Sequence, residues 1–241
     1  MSAVKLIIGN WKMNGLLSDS RERAKAIAAA AGQYPKADIV LCPPATVLQA
    51  VSEAAKGSAV RCGGQDCHEQ ASGAFTGDVS ASMLKDLGCA FVIVGHSERR
   101  REHNEASKLV AAKARAAHAA GLVAVICVGE TDADRTTGRA GTVVSAQLQD
   151  SFPDTVTPEN TVVAYEPVWA IGTGKTATPD DIRSMHAIIR ARTNEKMRIL
   201  YGGSVKASNA KEILHLPNVD GVLVGGASLQ VPEFLAIAQG A

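Results

Sequence analysis

Along this chain, short stretches that are apolar at nearly every position alternate with longer, Ala-rich stretches whose apolar residues recur at spacings of three and four. The short stretches are Lys5–Gly9, Asp38–Leu41, Ala59–Gly63, Phe91–Gly95, Val123–Val128, Thr161–Glu166, Ile199–Gly202 and Gly221–Val224. Continuous apolar character without alternation is the signature of strands buried on both faces. The stretches between them read as helices, clearest at Ala106–Ala120 and Asp181–Arg192. Start signals stand at Ser18-Asp19, at Thr178-Pro179-Asp180-Asp181 and at Ser208-Asn209, and Gly121 reads as a C-terminal cap. Eight such units at about thirty residues each predict one (β/α)8 barrel in a single domain over residues 1–241. A doubly wound open sheet is the alternative, but it calls for a glycine-rich turn after the first strand. Strand one here runs into Gly9-Asn10-Trp11-Lys12.

Composition agrees with a barrel. Only 4% of residues are aromatic while 46% are hydrophobic, so the core must be built from Ala, Val, Ile and Leu. The net charge of +1 favours neither nucleic acid nor an anionic membrane as a partner. No apolar run approaches the roughly 20 residues that span a bilayer, and Met1-Ser2-Ala3-Val4-Lys5 lacks the layout of a signal peptide. Five cysteines without paired spacing fit a reducing compartment, so a cytoplasmic location is expected. Cys62, Cys67 and His68 are too few and too widely spaced for a tetrahedral zinc site, and no metal is expected.

In a barrel of this kind, chemistry sits at the C-terminal ends of the strands. Asn10-Trp11-Lys12 follows strand one, His96-Ser97-Glu98-Arg99 follows strand four, and Glu166-Pro167 follows strand six. Gly202-Gly203-Ser204 and Gly225-Gly226 follow strands seven and eight. Singly, each has an ordinary explanation: a solvated lysine, a capping histidine, a turn glycine. Five on one rim do not. Glu166 stands out because a carboxylate ending an apolar strand is expensive unless it is used. The paired glycines leave backbone N–H groups open to close approach by an anion, which suits phosphate recognition with Ser204 and Gly172. Pro167–Ala177 has stiff ends, an apolar tip and two glycines. Its eleven residues exceed the usual span of about two to six, and the segment reads as a lid.

Three motifs fall away on inspection. Gly174-Lys175-Thr176 lacks the leading glycine of a phosphate-binding loop, which would fall at Trp169. Gly172–Ala177 matches a dinucleotide pattern but is cut off from its strand by Pro167–Ile171. Gly95-His96-Ser97-Glu98-Arg99 lacks the second glycine of a nucleophile elbow, so Ser97 is a poor nucleophile.

The segments Gly9–Gly15, Gly95–Arg100, Ala164–Lys175, Tyr201–Val205 and Val224–Leu229 together resemble the triosephosphate isomerase family, in order along the whole chain. That resemblance implies a cofactor-free interconversion of dihydroxyacetone phosphate and glyceraldehyde 3-phosphate through an enediolate. It implies Asn10, Lys12, His96 and Glu166 as the catalytic set, and Asn10, Lys12, Gly172, Ser204, Gly225 and Gly226 as substrate contacts. Glu166 would move the proton between neighbouring carbons and His96 would donate to the oxygens. A neutral histidine at a helix N-terminus is a known property of that family, and a helix beginning at Ser97 would provide it. Lys12 and Asn10 would address the phosphate and the oxyanion. The resemblance also implies a homodimer through the Gln65–Asp78 loop, with the residue matching Thr76 supporting the neighbouring site. An exposed Phe75 on so long a loop agrees. The sequence departs from the family's common pattern at Asp66, at Arg101-Glu102-His103-Asn104 and at Ser107, all outside the catalytic set. Two other functions suit a barrel: a Schiff-base aldolase using Lys12, and a non-catalytic sugar-phosphate binder. A Schiff-base lysine is usually desolvated, whereas Lys12 would stand beside a phosphate. A non-catalytic barrel would have no need of Glu166, His96 and Lys12 together.

Overall fold

The computed structural model describes residues 4–172 and 175–241. The N-terminal residues Met1–Ala3, and Thr173 and Gly174 of the expected lid, lie outside the described residues. Eight parallel strands close into a barrel in sequence order: β1 (Lys5–Asn10), β2 (Ala37–Cys42), β3 (Arg61–Gly64), β4 (Phe91–Val94), β5 (Val123–Val128), β6 (Thr161–Tyr165), β7 (Arg198–Tyr201) and β8 (Gly221–Val224). All eight expected strands are present, with ends displaced by at most two residues. The register from Leu6↔Asp38 to Asn10↔Cys42 seats β1 against β2, and Leu6↔Gly221 closes the ring.

Strand alternation divides the apolar residues between two cores. Leu6, Ile8, Val40, Phe91, Ile93, Val125, Val162 and Leu200 fill the barrel interior. Ile7, Ile39, Val92, Ile126, Val163 and Ile199 point outward against the helices. The short strand β3 adds a glycine where a side chain would not fit. A Cβ on Gly63 would lie 2.9 Å from Cys42 Sγ and 3.0 Å from Phe91 Cβ, so these two neighbours occupy its place. With so few aromatic residues, interior volume is set by single methyl groups of Val and Ile. That is why glycine positions matter here.

The outer layer consists of α1 (Leu17–Ala31), α2 (Ala45–Ala55), α3 (Ala81–Asp86), α4 (Ser97–Glu102), α5 (Ser107–Ala119), α6 (Asp132–Thr136), α7 (Ala140–Ser151), α8 (Pro179–Arg190), α9 (Ala207–Leu214) and α10 (Val231–Gln239). These are ten helices among the described residues where eight are expected. The extra two, α4 and α6, are short pieces following the C-terminal ends of β4 and β5, too brief for helical periodicity to register. The expected start signals hold at α8, where Thr178 and Asp181 form a capping box with Pro179 in the first turn. At α9, Asn209 accepts from Lys206 N–H at 2.8 Å. The expected opening at Ser18-Asp19 does not hold: α1 begins at Leu17 with no side-chain cap, and Ser20 N–H bonds to Leu16 O. Gly121 ends the chain's turn after α5 at φ +72°, as a left-handed cap should.

All five cysteines are free and buried. Among the described residues no helix is long and apolar enough to cross a membrane.

The closing seam carries a tight constraint. A Cβ on Gly221 would lie 1.9 Å from Leu6 O, whereas one on Gly226 would meet nothing within 4 Å. Gly221→Ala is therefore expected to destabilise the protein by more than about 4 kcal/mol or abolish soluble expression. Gly226→Ala should leave urea unfolding nearly unchanged.

Candidate active site

The turn after β1 sets the first two groups. Asn10 is buried, and its Oδ1 accepts Lys12 N–H at 3.0 Å. Lys12 is held at φ +52°, a left-handed conformation that costs a non-glycine residue energy. The surroundings fix that turn. Gln65 donates to Lys12 O and to Cys42 O, both at 2.8 Å, and Asn14 donates to Trp11 O at 2.8 Å. The outcome is an ammonium aimed over the barrel mouth, paired with Glu98 at 2.6 Å.

The turn after β4 supplies the second pair. His96 caps α4, with Nδ1 accepting Glu98 N–H at 3.2 Å. Its Nε2 lies 2.9 Å from Glu166 Oε1. A ring whose Nδ1 accepts and whose Nε2 faces a carboxylate is the neutral tautomer protonated on Nε2. Burial disfavours a second proton, whereas the Glu166 carboxylate favours it and raises the ring's proton affinity. The Glu98 N–H, at the positive end of α4, opposes protonation at the remaining nitrogen.

Glu166, at the end of β6, is 1% exposed. It accepts Ser97 N–H at 2.9 Å and Ser97 Oγ–H at 3.1 Å, besides the His96 contact. Burial alone would push its carboxyl up, but His96 and both Ser97 donors outweigh burial and bring it below the ordinary carboxylate range. Gly129 makes room for this placement, since a Cβ there would lie 1.8 Å from Glu166 O.

One cavity of about 840 Å³ opens among these groups. All eight residues expected at the site line it: Asn10, Lys12, His96, Glu166, Gly172, Ser204, Gly225 and Gly226. Beyond β8, Gly225 and Gly226 lead into a short 3-10 turn, Gly226–Leu229, whose first N–H groups have no partner within the turn. The other paired glycines serve packing as well as access. A Cβ on Gly203 would meet Tyr201 Oη at 2.2 Å and Pro167 Cγ at 2.9 Å, and one on Gly202 would meet Glu166 Cγ at 3.0 Å.

Pro167 leads into a 3-10 turn, Val168–Ala170, and Ser204 Oγ–H donates to Ala170 O at 3.0 Å. Beneath this segment the wholly buried Glu130 accepts from Tyr165 Oη–H at 3.0 Å and Trp169 Nε1–H at 2.8 Å. Tyr201 Oη is buried and has no hydrogen-bond partner among the described residues, at a position bordering Gly203 and Pro167.

Four functional groups lie outside the sequence expectation. Ser97 reads in sequence as a poor nucleophile and as the start of a helix, and its contact with Glu166 is not visible there. Glu98 stands in the same segment but gives no sign of reaching Lys12. Glu130 follows β5, so the strand-end test that found the others also reaches it. Tyr201 reads as a strand residue, and its orphan hydroxyl is visible only in three dimensions. Among the described residues, no group of three or more His, Cys, Asp or Glu side chains could hold a metal ion.

Comparison with known proteins agrees along the whole chain. The family model described as triosephosphate isomerase matches residues 5–241. A protein named triosephosphate isomerase from Afipia carboxidovorans is 55% identical over 242 residues, covering 97% of this chain and 96% of that one. Another of that name from Bradyrhizobium diazoefficiens is 51% identical over 242 residues, with coverages of 98% and 96%. The crystal structure of triosephosphate isomerase from Bartonella henselae superimposes with a TM-score of 0.91 at 43% identity, covering 98% of both chains. With the barrel, the rim residues and these similarities in agreement, the chain belongs to the triosephosphate isomerase family.

Proposed function

We propose that residues 1–241 act as one catalytic domain that interconverts dihydroxyacetone phosphate and glyceraldehyde 3-phosphate by proton transfer, without a cofactor. The observation that carries this reading is the Glu166 carboxyl 2.9 Å from His96 Nε2, with Lys12 Nζ lining the same cavity. Glu166 removes a proton from the carbon next to the carbonyl. The electron pair of that C–H bond forms the carbon–carbon double bond of the enediolate, and the carbonyl oxygen takes the negative charge. His96 gives its Nε2 proton to that oxygen and takes one back from the adjacent hydroxyl, with Lys12 Nζ beside them; as the hydroxyl oxygen becomes the new carbonyl, Glu166 returns its proton to the former carbonyl carbon. Groups already aimed at the developing charge cost no reorganisation during the reaction.

Glu166 faces Ser97 in the structure, so it has to turn into the cavity to reach a substrate C–H. As it leaves His96 it removes the charge that favours an imidazolium, and the ring stays neutral when it is needed as a donor. The lid at Pro167–Ala177 begins at the next residue, which couples this turn to closure and to exclusion of water. Tyr201 Oη offers a closing lid a hydrogen bond that it lacks here. Asn10 orients the oxyanion partners, while Gly172, Ser204, Gly225 and Gly226 hold the phosphate through backbone N–H groups and the serine hydroxyl.

A Schiff-base aldolase has less support, because Lys12 Nζ is tied to Glu98 at 2.6 Å and partly exposed. A homodimer through the Gln65–Asp78 loop is part of the proposal, as is a cytoplasmic location without nucleic-acid or membrane partners. Phe75 is 42% exposed at this loop and stacks on His68 with ring centroids 4.0 Å apart, while Met13, beside the site, is 95% exposed. Apolar groups held at the surface in this way suit burial against a second copy.

Pure protein assayed in a chelator should isomerise triose phosphates rapidly, and no detectable turnover by folded protein would overturn the reading. Glu166→Asp, which draws the base back by one methylene, should lower kcat by about a hundredfold with little change in KM. In size-exclusion chromatography over a dilution series the protein should elute as a dimer, and Phe75→Ser should move it toward the monomer. A monomer at every concentration would remove the dimer from the proposal.

A further inference from the structure

Helix α6 and the residue before its cap carry a group of charges that the reaction does not use. Arg135 Nη1 lies 3.3 Å from Glu130 Oε1, Nη2 bonds to Asp181 Oδ1, and Cζ sits 4.6 Å from the centre of the Trp169 ring. Each partner holds one end of the lid. Glu130 accepts Trp169 Nε1–H, and its backbone oxygen accepts Val168 N–H at 3.2 Å. Asp181 Oδ2 accepts Thr178 N–H at 2.9 Å and Thr178 Oγ1–H at 2.7 Å. The lid therefore leaves and rejoins the barrel at two points that meet on one guanidinium. We infer that Arg135 is a positioning residue for the isomerase reaction, clamping both hinges of the lid to α6 so that they pivot from a single post.

The choice of arginine follows from the geometry. A planar guanidinium presents its face to an indole and its edge to two carboxylates at once, whereas an ammonium satisfies these one at a time. The arrangement is also hard to replace. Glu130 is wholly buried, and removing Arg135 takes away the cation beside it. The third tie, Lys175 Nζ to Asp132 at 2.9 Å, joins the lid to the same short helix. Three positions of α6 and its lead-in, Glu130, Asp132 and Arg135, thus face Trp169, Lys175 and Asp181.

The inference rests on the proposed isomerase activity, and its test separates the two. kcat and KM are measured for Arg135→Ala and Arg135→Lys, each alone and combined with Trp169→Phe. Arg135→Ala should lower kcat/KM about tenfold or more, with Arg135→Lys between it and the parent. In the Trp169→Phe background the loss should shrink several-fold, because one jaw of the clamp is already gone. Trp169 emission gives a readout independent of turnover. The concentration of glycerol 3-phosphate that half-saturates its change should rise in Arg135→Ala. A folded Arg135→Ala protein with kcat/KM within twofold of the parent overturns the inference. So does an equal fold-loss in both backgrounds, which would mean that Arg135 supports the barrel and not the lid. Where Arg135→Ala does not fold, Arg135→Lys decides: a kcat/KM several-fold below the parent at an unchanged Tm supports the clamp, and full activity refutes it. An inactive parent protein counts against the isomerase reading, while the glycerol 3-phosphate titration still tests the clamp.

Discussion

Enclosing an ionised carboxylate costs several kcal/mol unless its oxygens are supplied with donors, and Glu166 is enclosed almost completely. Two bonds from Ser97 and one from His96, each worth about 1.5–3 kcal/mol to a charged acceptor, are enough to offset that cost. Much of the rim follows from this balance. Helix α4 begins at Ser97, which leaves that residue's N–H free to bond to Glu166. The same start makes His96 the cap, which sets its tautomer. Gly129 and Gly202 lack side chains where Glu166 passes between β5 and β7. The placement of one residue thus ties together the helix start, the histidine tautomer and two glycines.

The barrel contributes by bringing the ends of strands distant in sequence onto one circle. Asn10 and Lys12 come from β1, His96 and Ser97 from β4, Glu130 from β5, Glu166 from β6, and the glycine pairs from β7 and β8. Rigid strands hold each group, and the parts that must change conformation are confined to loops. Glu166 lies at the border: the strand ends at Tyr165 and the lid begins at Pro167. Its backbone is anchored by N–H to Val128 O at 2.8 Å, while its side chain takes bonds from Ser97 and His96. For the proposed base, a fixed backbone with a movable carboxylate would combine precise placement with the freedom to turn.

Much of this was legible in the sequence. All eight strands showed as apolar runs, since burial on both faces leaves no room for polar residues. All eight expected site residues line one cavity, because the strand-end rule turns sequence position into spatial position. The missing parts share a physical cause. Helices α4 and α6 are one or two turns long, below the length at which periodicity is visible. The contacts of Ser97 with Glu166, of Glu98 with Lys12 and of Arg135 with Asp181 join units far apart in the chain, and their geometry depends on barrel tilt. Gly203 reads as a phosphate loop in sequence, whereas in the fold it also gives way to Tyr201 and Pro167. The start of α1 differs more simply: Ser18-Asp19 is a good capping pair, but the helix begins at Leu17 without a side-chain cap.

The central claim is that Glu166 is ionised in the free enzyme because Ser97 and His96 outweigh burial. Infrared difference spectra of the parent protein against Glu166→Gln, taken through an acid titration, read that charge directly. A folded-state carboxyl below the ordinary value of 4.5 holds its charge, and the stability that comes with it, until pH falls through that lowered range. The carboxylate band of Glu166 should therefore persist at about pH 5 and below. Its loss should move upward in pH in Ser97→Ala, where one donor is gone. A Glu166 found protonated near neutral pH would contradict the account.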